Sequence, residues 1–230
     1  MLEHSASLPE KVERVRKELK KLCLEYRPWQ IHVAWTGGKD STTVLWLWKN
    51  VLQETASATD SQPRALRVDT GLDFPEIEHF CQNIVQEWGI RQVTAVAGPH
   101  TLANIDLEDT VTCCHRLKIE PMRRAVKSNG VRVLITGLRQ EENPSRGRLD
   151  RIEERSEPSY LQANPLRDWT EMDIWSFILN HGLPYCSLYD QGYRSLDCRP
   201  CTEKSDLEER RGRNPEKEEQ MERLRSLGYF

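Results

Sequence analysis

Ile31-His-Val-Ala-Trp35-Thr-Gly-Gly-Lys-Asp-Ser41 is the stretch that decides how the rest of this chain is read. A short apolar strand runs into a Gly-Gly turn, and a strongly apolar helix from Ser41 to Leu52 follows at once. That succession gathers the backbone amides of Gly37 and Gly38, the positive end of a helix dipole and the charge of Lys39 around one point. Such a point suits an anion. It is not a Walker A loop, because Asp40 follows Lys39 and the upstream glycine spacing differs.

Working outward, strand signals at 65–68, 92–96 and 131–136 alternate with helical patterns at 75–88 and 116–128. The expected fold is therefore α/β, a mostly parallel twisted sheet with helices on both faces and a C-terminal helical and loop extension. Sheets of this kind bind ligands at the carboxyl ends of their strands. Here those ends lead into Thr36–Lys39, Asp69–Gly71 and Gly137–Arg139, three polar loops that would form one site. After Gly137 the sheet pattern stops. Residues 139–159 read as a solvated stretch in which Arg146 and Arg148 could grip phosphates, while Arg151 and Arg155 fall on a solvated helix. A further helix is expected over 168–180. The chain divides into an N-terminal helix (1–27, capped by Ser7), a nucleotide-binding unit (28–202) and a charged tail (203–230).

The 230 residues carry 33 Lys and Arg against 36 Asp and Glu, a net charge of −3, with a mean hydropathy of −0.70. A globally basic nucleic-acid binder is excluded, and no apolar run approaches the roughly 20 residues of a membrane helix. The first residues contain acids and no apolar core, unlike a secretory signal, so a cytoplasmic enzyme is expected. Seven cysteines then argue against a disulfide framework. Cys23, Cys81 and Cys186 stand alone, whereas Cys113-Cys114 and Cys198-x-x-Cys201 form two pairs. Four thiolates can hold an iron–sulfur cluster, with zinc as the chemical runner-up.

These motifs resemble a known group. Strand-Thr36-Gly-Gly-Lys-Asp-Ser41 is similar to the PP-loop of the adenine-nucleotide α-hydrolase superfamily. Val68-Asp-Thr-Gly-Leu-Asp-Phe-Pro-Glu76, Thr136-Gly-Leu-Arg139 with Ser145-Arg146, Asn164-Pro-Leu-Arg-Asp-Trp169 and Leu188-Tyr-Asp-Gln-Gly-Tyr-Arg-Ser195 resemble the phosphoadenosine phosphosulfate (PAPS) reductase family. The resemblance spans about residues 28–202. It implies binding of ATP, adenylyl sulfate or PAPS, with phosphates on Gly37, Gly38, Lys39, Asp40 and Ser41, and with Thr36 and Gly137 also among the nucleotide-binding residues. Adenosine would lie near Asp69 and Gly71, and Arg139 and Arg146 would face the anionic tail. Thr112-Cys-Cys-His-Arg-Leu-Lys118 and Ser195-Leu-Asp-Cys-Arg-Pro-Cys-Thr202 look like the motifs with which adenylyl sulfate reductases hold a [4Fe-4S] cluster. They imply Cys113, Cys114, Cys198 and Cys201 as ligands.

Two departures shape the expectation. Reductases of this kind resemble one another in a nucleophilic cysteine within a C-terminal Glu-Cys-Gly-Leu/Ile-His segment, and no cysteine follows Cys201 here. The Gly-Gly-Lys-Asp-Ser loop and the segments Glu209-Arg-Arg-Gly-Arg213 and Gly228-Tyr-Phe230 look closer to the ATP sulfurylase small subunit and to ATP-pyrophosphatase proteins. The resulting expectation is a sulfur-metabolism enzyme that cleaves ATP to pyrophosphate with Mg²⁺ to activate or transfer sulfur. Lys39, Ser41 and Arg139 would be its catalytic residues. A reductase releasing sulfite with a thiol supplied elsewhere is the alternative, and a nucleotide- and cluster-binding regulatory subunit is the non-enzymatic one. A sulfur donor or acceptor protein is the expected partner. A nucleic-acid acceptor and a homo-oligomer are left open, and no membrane is expected.

Overall fold

A computed structural model describes residues 6–55, 61–147 and 149–229; Arg148 and Phe230 lie outside the described residues. Helix α1 (Leu8–Glu25) opens at Ser7, whose backbone N–H and hydroxyl both donate to the Glu10 carboxylate at 2.8 Å. Glu10 thereby gives the Ser7 N–H at the helix entrance an acceptor. Val15, Leu19 and Leu22 face α2 (Lys39–Thr55) from one side of α1.

The sheet contains β1 (Ile31–Ala34), β2 (Arg64–Asp69), β3 (Arg91–Val96), β4 (Val133–Ile135), β5 (Ile152–Ser156) and β6 (Ser159–Ala163). Their order is β3-β2-β1-β4-β6-β5, and every neighbouring pair is parallel except β5–β6. The chain leaves β1 toward β2 and β3, then returns to lay β4 on the other side of β1. That reversal opens a crevice between the carboxyl ends of β1 and β4, the place where such sheets bind ligands.

The expected α/β architecture is present, with two corrections. Residues 152–163 are not solvated coil and helix but a hairpin that completes the sheet, so Arg151 adjoins β5 and Arg155 lies within it. The miss has a physical reason: Ile152, Tyr160 and Leu161 are the large apolar residues of a strand pair in which β5, an exposed edge, otherwise carries Glu and Arg. The helix expected at 116–128 begins earlier, as α4 (Thr110–Cys114), with the Asp109 carboxylate accepting from the Thr112 N–H at 3.0 Å. It continues through a π turn, His115–Ile119, into α5 (Glu120–Ser128).

The remaining helices are α3 (Pro75–Trp88), α6 (Glu171–His181), α7 (Pro215–Glu219) and α8 (Met221–Ser226). The main core lies between the sheet, α1, α2, α3 and α6, where Trp35, Trp48 and Trp169 are buried. A second core packs α5 against the other face through Met122, Ala125 and Val126. No described helix is long and apolar enough to cross a membrane.

Candidate functional site

Two glycines let the backbone come close to its neighbours here, Gly37 to side chains of α3 and Gly137 to the backbone of α2. Gly37 has φ +77° and sits against Cys81 and Ile77, where a Cβ would come within 2.9 Å of the Cys81 sulfur. A Cβ on Gly137 would lie 2.7 Å from both the Asp40 carbonyl carbon and the Ser41 nitrogen, so the end of β4 touches the first turn of α2. Ser41 Oγ donates to the Gly38 carbonyl at 3.0 Å and accepts from the Thr36 N–H at 3.3 Å, which closes the loop on itself. The Lys39 N–H donates to the Tyr189 hydroxyl at 2.9 Å. Burial pushes that phenol up to about 12, so it stays a neutral partner.

A cavity of about 200 Å³ opens at this point. Thr36, Gly38, Asp40, Ser41, Gly137 and Arg146 line it, Gly37 does not, and Cys198 is also among its lining residues. Leu66, Val68, Ile119 and Met122 give it an apolar side suited to a purine. Asp69 and Gly71 do not line it. The Asp69 carboxylate instead accepts from the Gly71 N–H at 2.8 Å, which shapes the turn that presents Thr70 to the cavity.

Lys39 and Arg139 are also placed differently from expectation. Neither lines the cavity, and both are essentially buried, at 1% and 0% exposure. Arg139 Nη2 donates to both oxygens of Glu209, at 2.5 and 2.6 Å, and its Nε donates to Asp40 at 2.5 Å. Lys39 Nζ donates to the same Glu209 carboxylate and, at 3.2 Å, to Asp40. Burial penalises the Asp40 charge, yet Lys39 and Arg139 outweigh it and hold the carboxyl down at about 2. Burial likewise opposes the Lys39 charge, and Asp40, Tyr189 and Glu209 more than reverse that effect. Lys39 is thus part of a buried ion-pair network and not a solvent-facing loop lysine.

The two cysteine pairs come to one region. Cys113 and Cys114 end α4, while Cys198 and Cys201 bracket a 3₁₀ turn in which the Cys201 N–H donates to the Cys198 carbonyl at 2.9 Å. Burial, followed by the charge of Cys114, Cys198 and Cys201, pushes the Cys113 thiol up to about 12. Beside them Asp197 binds Lys118, Lys217 and, at 2.7 Å, Arg213. The Tyr229 ring lies 5.8 Å from Lys118 Nζ and 5.0 Å from Lys217 Nζ. Three cations on one carboxylate leave an excess of positive charge next to four thiols. That chemistry fits a thiolate-bound anionic cluster. Among the described residues, however, no three His, Cys, Asp or Glu side chains converge closely enough to hold a metal ion. Cys23, Cys81 and Cys186 do not line the cavity, and burial raises all three thiols, Cys81 to about 12.

Sequence reasoning gave no site role to Tyr189, Asp197, Glu209, Arg210 or Arg213. The last three belong to the charged tail, which does not stay in solvent. Arg210 and Arg213 line the cavity, Lys217 is 1% exposed, and Arg210 pairs with Glu218 at 2.6 Å. One signal was present: Gly212 interrupts a run of long charged residues. Its Cβ would come within 2.2 Å of the Glu203 carbonyl oxygen, marking a close backbone crossing.

Adenosine 5′-phosphosulfate reductases of Salinibacter ruber and Allochromatium vinosum are 33% and 40% identical over 147 and 150 residues, 60% of this chain in each case. The chain spans 57% and 58% of those relatives' lengths. Among solved structures, Candida glabrata FMN adenylyltransferase with FAD and pyrophosphate superposes with a TM-score of 0.69 at 19% identity, covering 90% of this chain and 70% of its own. The PAPS reductase of Candida auris gives 0.60 at 18%, covering 85% and 97%. The U34-tRNA thiolase NcsA of Methanococcus maripaludis, which holds a [4Fe-4S] cluster, gives 0.61 at 15%, covering 97% and 80%. At such identities these structures share the fold. The model of the phosphoadenosine phosphosulfate reductase domain matches residues 30–204, the whole sheet and both cysteine pairs, and to that family this chain belongs.

Proposed function

We propose that the chain binds an adenine sulfonucleotide, adenylyl sulfate or PAPS, and takes part in its reduction to sulfite with an attacking thiol supplied from outside the cavity. The observation that carries this reading is that one cavity joins the phosphate-type loop at Gly38–Ser41 to Cys198 and to Lys118, Arg146, Arg210 and Arg213. Purine would rest against Leu66, Val68 and Met122, and the α-phosphate at the N-terminus of α2. The arginines would neutralise the sulfonate and the oxygen on which charge develops. A thiolate attacks sulfur, the S–O bond to phosphate breaks, and the nucleotide leaves with that electron pair. A second thiol then releases sulfite from the S-sulfonate as a disulfide forms. Cys113, Cys114, Cys198 and Cys201 would hold an iron–sulfur cluster, which supplies fixed charge beside the sulfonate when bound.

The sulfonucleotide reductases among the relatives favour this reading over ATP cleavage, the first expectation from the loop. ATP cleavage remains the second reading, because Cys23, Cys81 and Cys186 all lie off the cavity. Protein purified without oxygen is incubated with adenylyl sulfate or PAPS and a dithiol protein such as thioredoxin, and separately with ATP and Mg²⁺. Sulfite release is expected. Pyrophosphate release from ATP with no sulfite from either sulfonucleotide would replace this proposal by the second reading.

A further inference from the structure

One amide at the N-terminus of α2 is already bound, and its partner is a phenol. The Tyr189 hydroxyl accepts from the Lys39 N–H at 2.9 Å, so this amide, one of those a helix start leaves free, has no room for a ligand. A Cβ on Gly38 would lie 3.5 Å from the same oxygen, which sets the phenol against the turn where phosphate is expected. Tyr189 also lines the cavity, together with Gly38, Ser41 and Arg213. No acceptor for the phenol's own proton lies among the described residues. The ring is firmly placed. Its backbone N–H donates to the Cys186 carbonyl at 3.1 Å, and its carbonyl accepts from the Gly192 N–H at 3.2 Å. Trp175 meets the ring at 88° with centroids 5.2 Å apart, and Lys39 Nζ lies 5.7 Å from its centroid. Asp40, the carboxylate on the same wall, is held by Lys39 and Arg139.

We propose that Tyr189 is a phosphate-binding residue: its hydroxyl accepts from the Lys39 amide and donates its own proton to the α-phosphate of the bound nucleotide. The phenol stands in for the amide it covers and carries the positive end of α2 one bond further into the cavity. Accepting from an amide makes a hydroxyl a better donor, because consecutive hydrogen bonds polarise one another. The proton stays on the phenol, and the phosphate oxygen gains a charge-assisted hydrogen bond from a group that needs no reorganisation. This inference rests on the part of the proposed function that lays a nucleotide phosphate on the loop. Sulfonucleotide and ATP share that phosphate, so the contact holds for either.

Two measurements on the full chain test the proposal: calorimetric titration with AMP and with adenosine, without and with Tyr189→Phe, and NMR of isotope-labelled tyrosine Cζ, whose shift moves when a phenol donates to an anion. Phenylalanine keeps the ring against Trp175 and removes the hydroxyl alone. Tyr189→Phe should weaken AMP by about tenfold to hundredfold, the scale of one hydrogen bond to a charged group. Adenosine, which has no phosphate, should change by less than about threefold. The Cζ resonance missing from Tyr189→Phe should shift when AMP is added to the unsubstituted chain and stay in place with adenosine. A variant that binds AMP within about threefold of the unsubstituted chain would overturn the proposal, as would equal losses for AMP and adenosine. A Cζ resonance indifferent to AMP would also overturn it, since a phenol that only braces the loop gives that result. If Tyr189→Phe does not fold, the resonance is assigned through its own ring and backbone, and its response to AMP decides alone. Sulfite release without the Cζ shift removes this inference and keeps the reductase reading; the shift without sulfite release does the reverse.

Discussion

Replacing Gly137 by Ala is the most direct test of how the crevice is built. The added Cβ would stand 2.7 Å from the Asp40 carbonyl carbon, 2.7 Å from the Ser41 nitrogen and 2.9 Å from the Asp40 oxygen. Comfortable carbon contacts need about 3.5–4.0 Å, so β4 and α2 must separate by roughly 1 Å. The obstacle is backbone and cannot rotate away. Behind it Val44, Leu45, Leu47 and Trp48 are fully buried, so α2 cannot shift without disturbing the main core. Overpacking of this kind costs about 1–3 kcal/mol, and the upper end is expected here. For a chain of this size that lowers Tm by about 6–12 °C. The displaced Asp40 and Ser41 should also cost most of the AMP affinity. Gly182→Ala is the control: its φ is +59° and nothing lies within 4 Å, so only the left-handed backbone penalty of about 1 kcal/mol applies, with AMP binding unchanged. Thermal unfolding followed by circular dichroism, with calorimetric AMP titration, measures both. If Gly137→Ala melts within 1 °C of the unsubstituted chain and binds AMP fully, the switch crevice is not held by this contact.

Other outcomes follow from the same geometry. Lys39→Met strands Asp40 and Glu209 with Arg139 alone, and urea unfolding should show a loss of about 3 kcal/mol, as when one partner of a buried pair is removed; an unchanged midpoint would contradict the network. His32 is buried, both ring nitrogens lack a partner among the described residues, and burial followed by Arg64 and Arg91 lowers it from 6.5 to about 4. The unfolded chain then binds this proton first, so stability is complete above pH 6.5 and is lost as pH falls toward 4. About 2 kcal/mol should vanish between pH 7 and 5, a loss that His32→Leu should abolish in urea titrations at the two pH values. Finally, protein purified without oxygen should be brown with about four irons per chain. Cys198→Ser should lower the iron content; unchanged iron in that variant would remove Cys198 from the ligand set.

The parallel sheet was legible because its buried strands are mostly apolar, as in Ile31–Trp35, broken by His32 alone, and Val133–Ile135. The β5–β6 hairpin was not, because an edge strand tolerates Glu and Arg on its exposed face. In the site, the loop Thr36–Ser41 announces itself through local order: strand, glycines, helix. Gly137 and Arg146 were found by motif, and the structure sets both on the cavity. Lys39 and Arg139 were read as facing an anionic ligand because their counter-charge, Glu209, lies 170 and 70 residues away in sequence. No local pattern reveals a pairing of that range. For the same reason Arg210 and Arg213 looked like members of a solvated charged tail.

That separation along the chain has a consequence for biosynthesis. Chains grow at about 5–20 residues per second, so Glu209 follows Arg139 by about 4–14 s and Lys39 by about 9–34 s. Throughout that interval Lys39 and Arg139 have only Asp40, Glu141 and Glu142 as carboxylate partners among the described residues. Cys113 and Cys114 wait in the same way for Cys198 and Cys201. A polyanion captured early would have to be expelled when the tail arrives, and a metal loaded early would have only half of its thiols. The stretch from Cys198 to Glu209 therefore joins both features late, Glu209 on Lys39 and Arg139, and Cys198 with Cys201 beside Cys113 and Cys114.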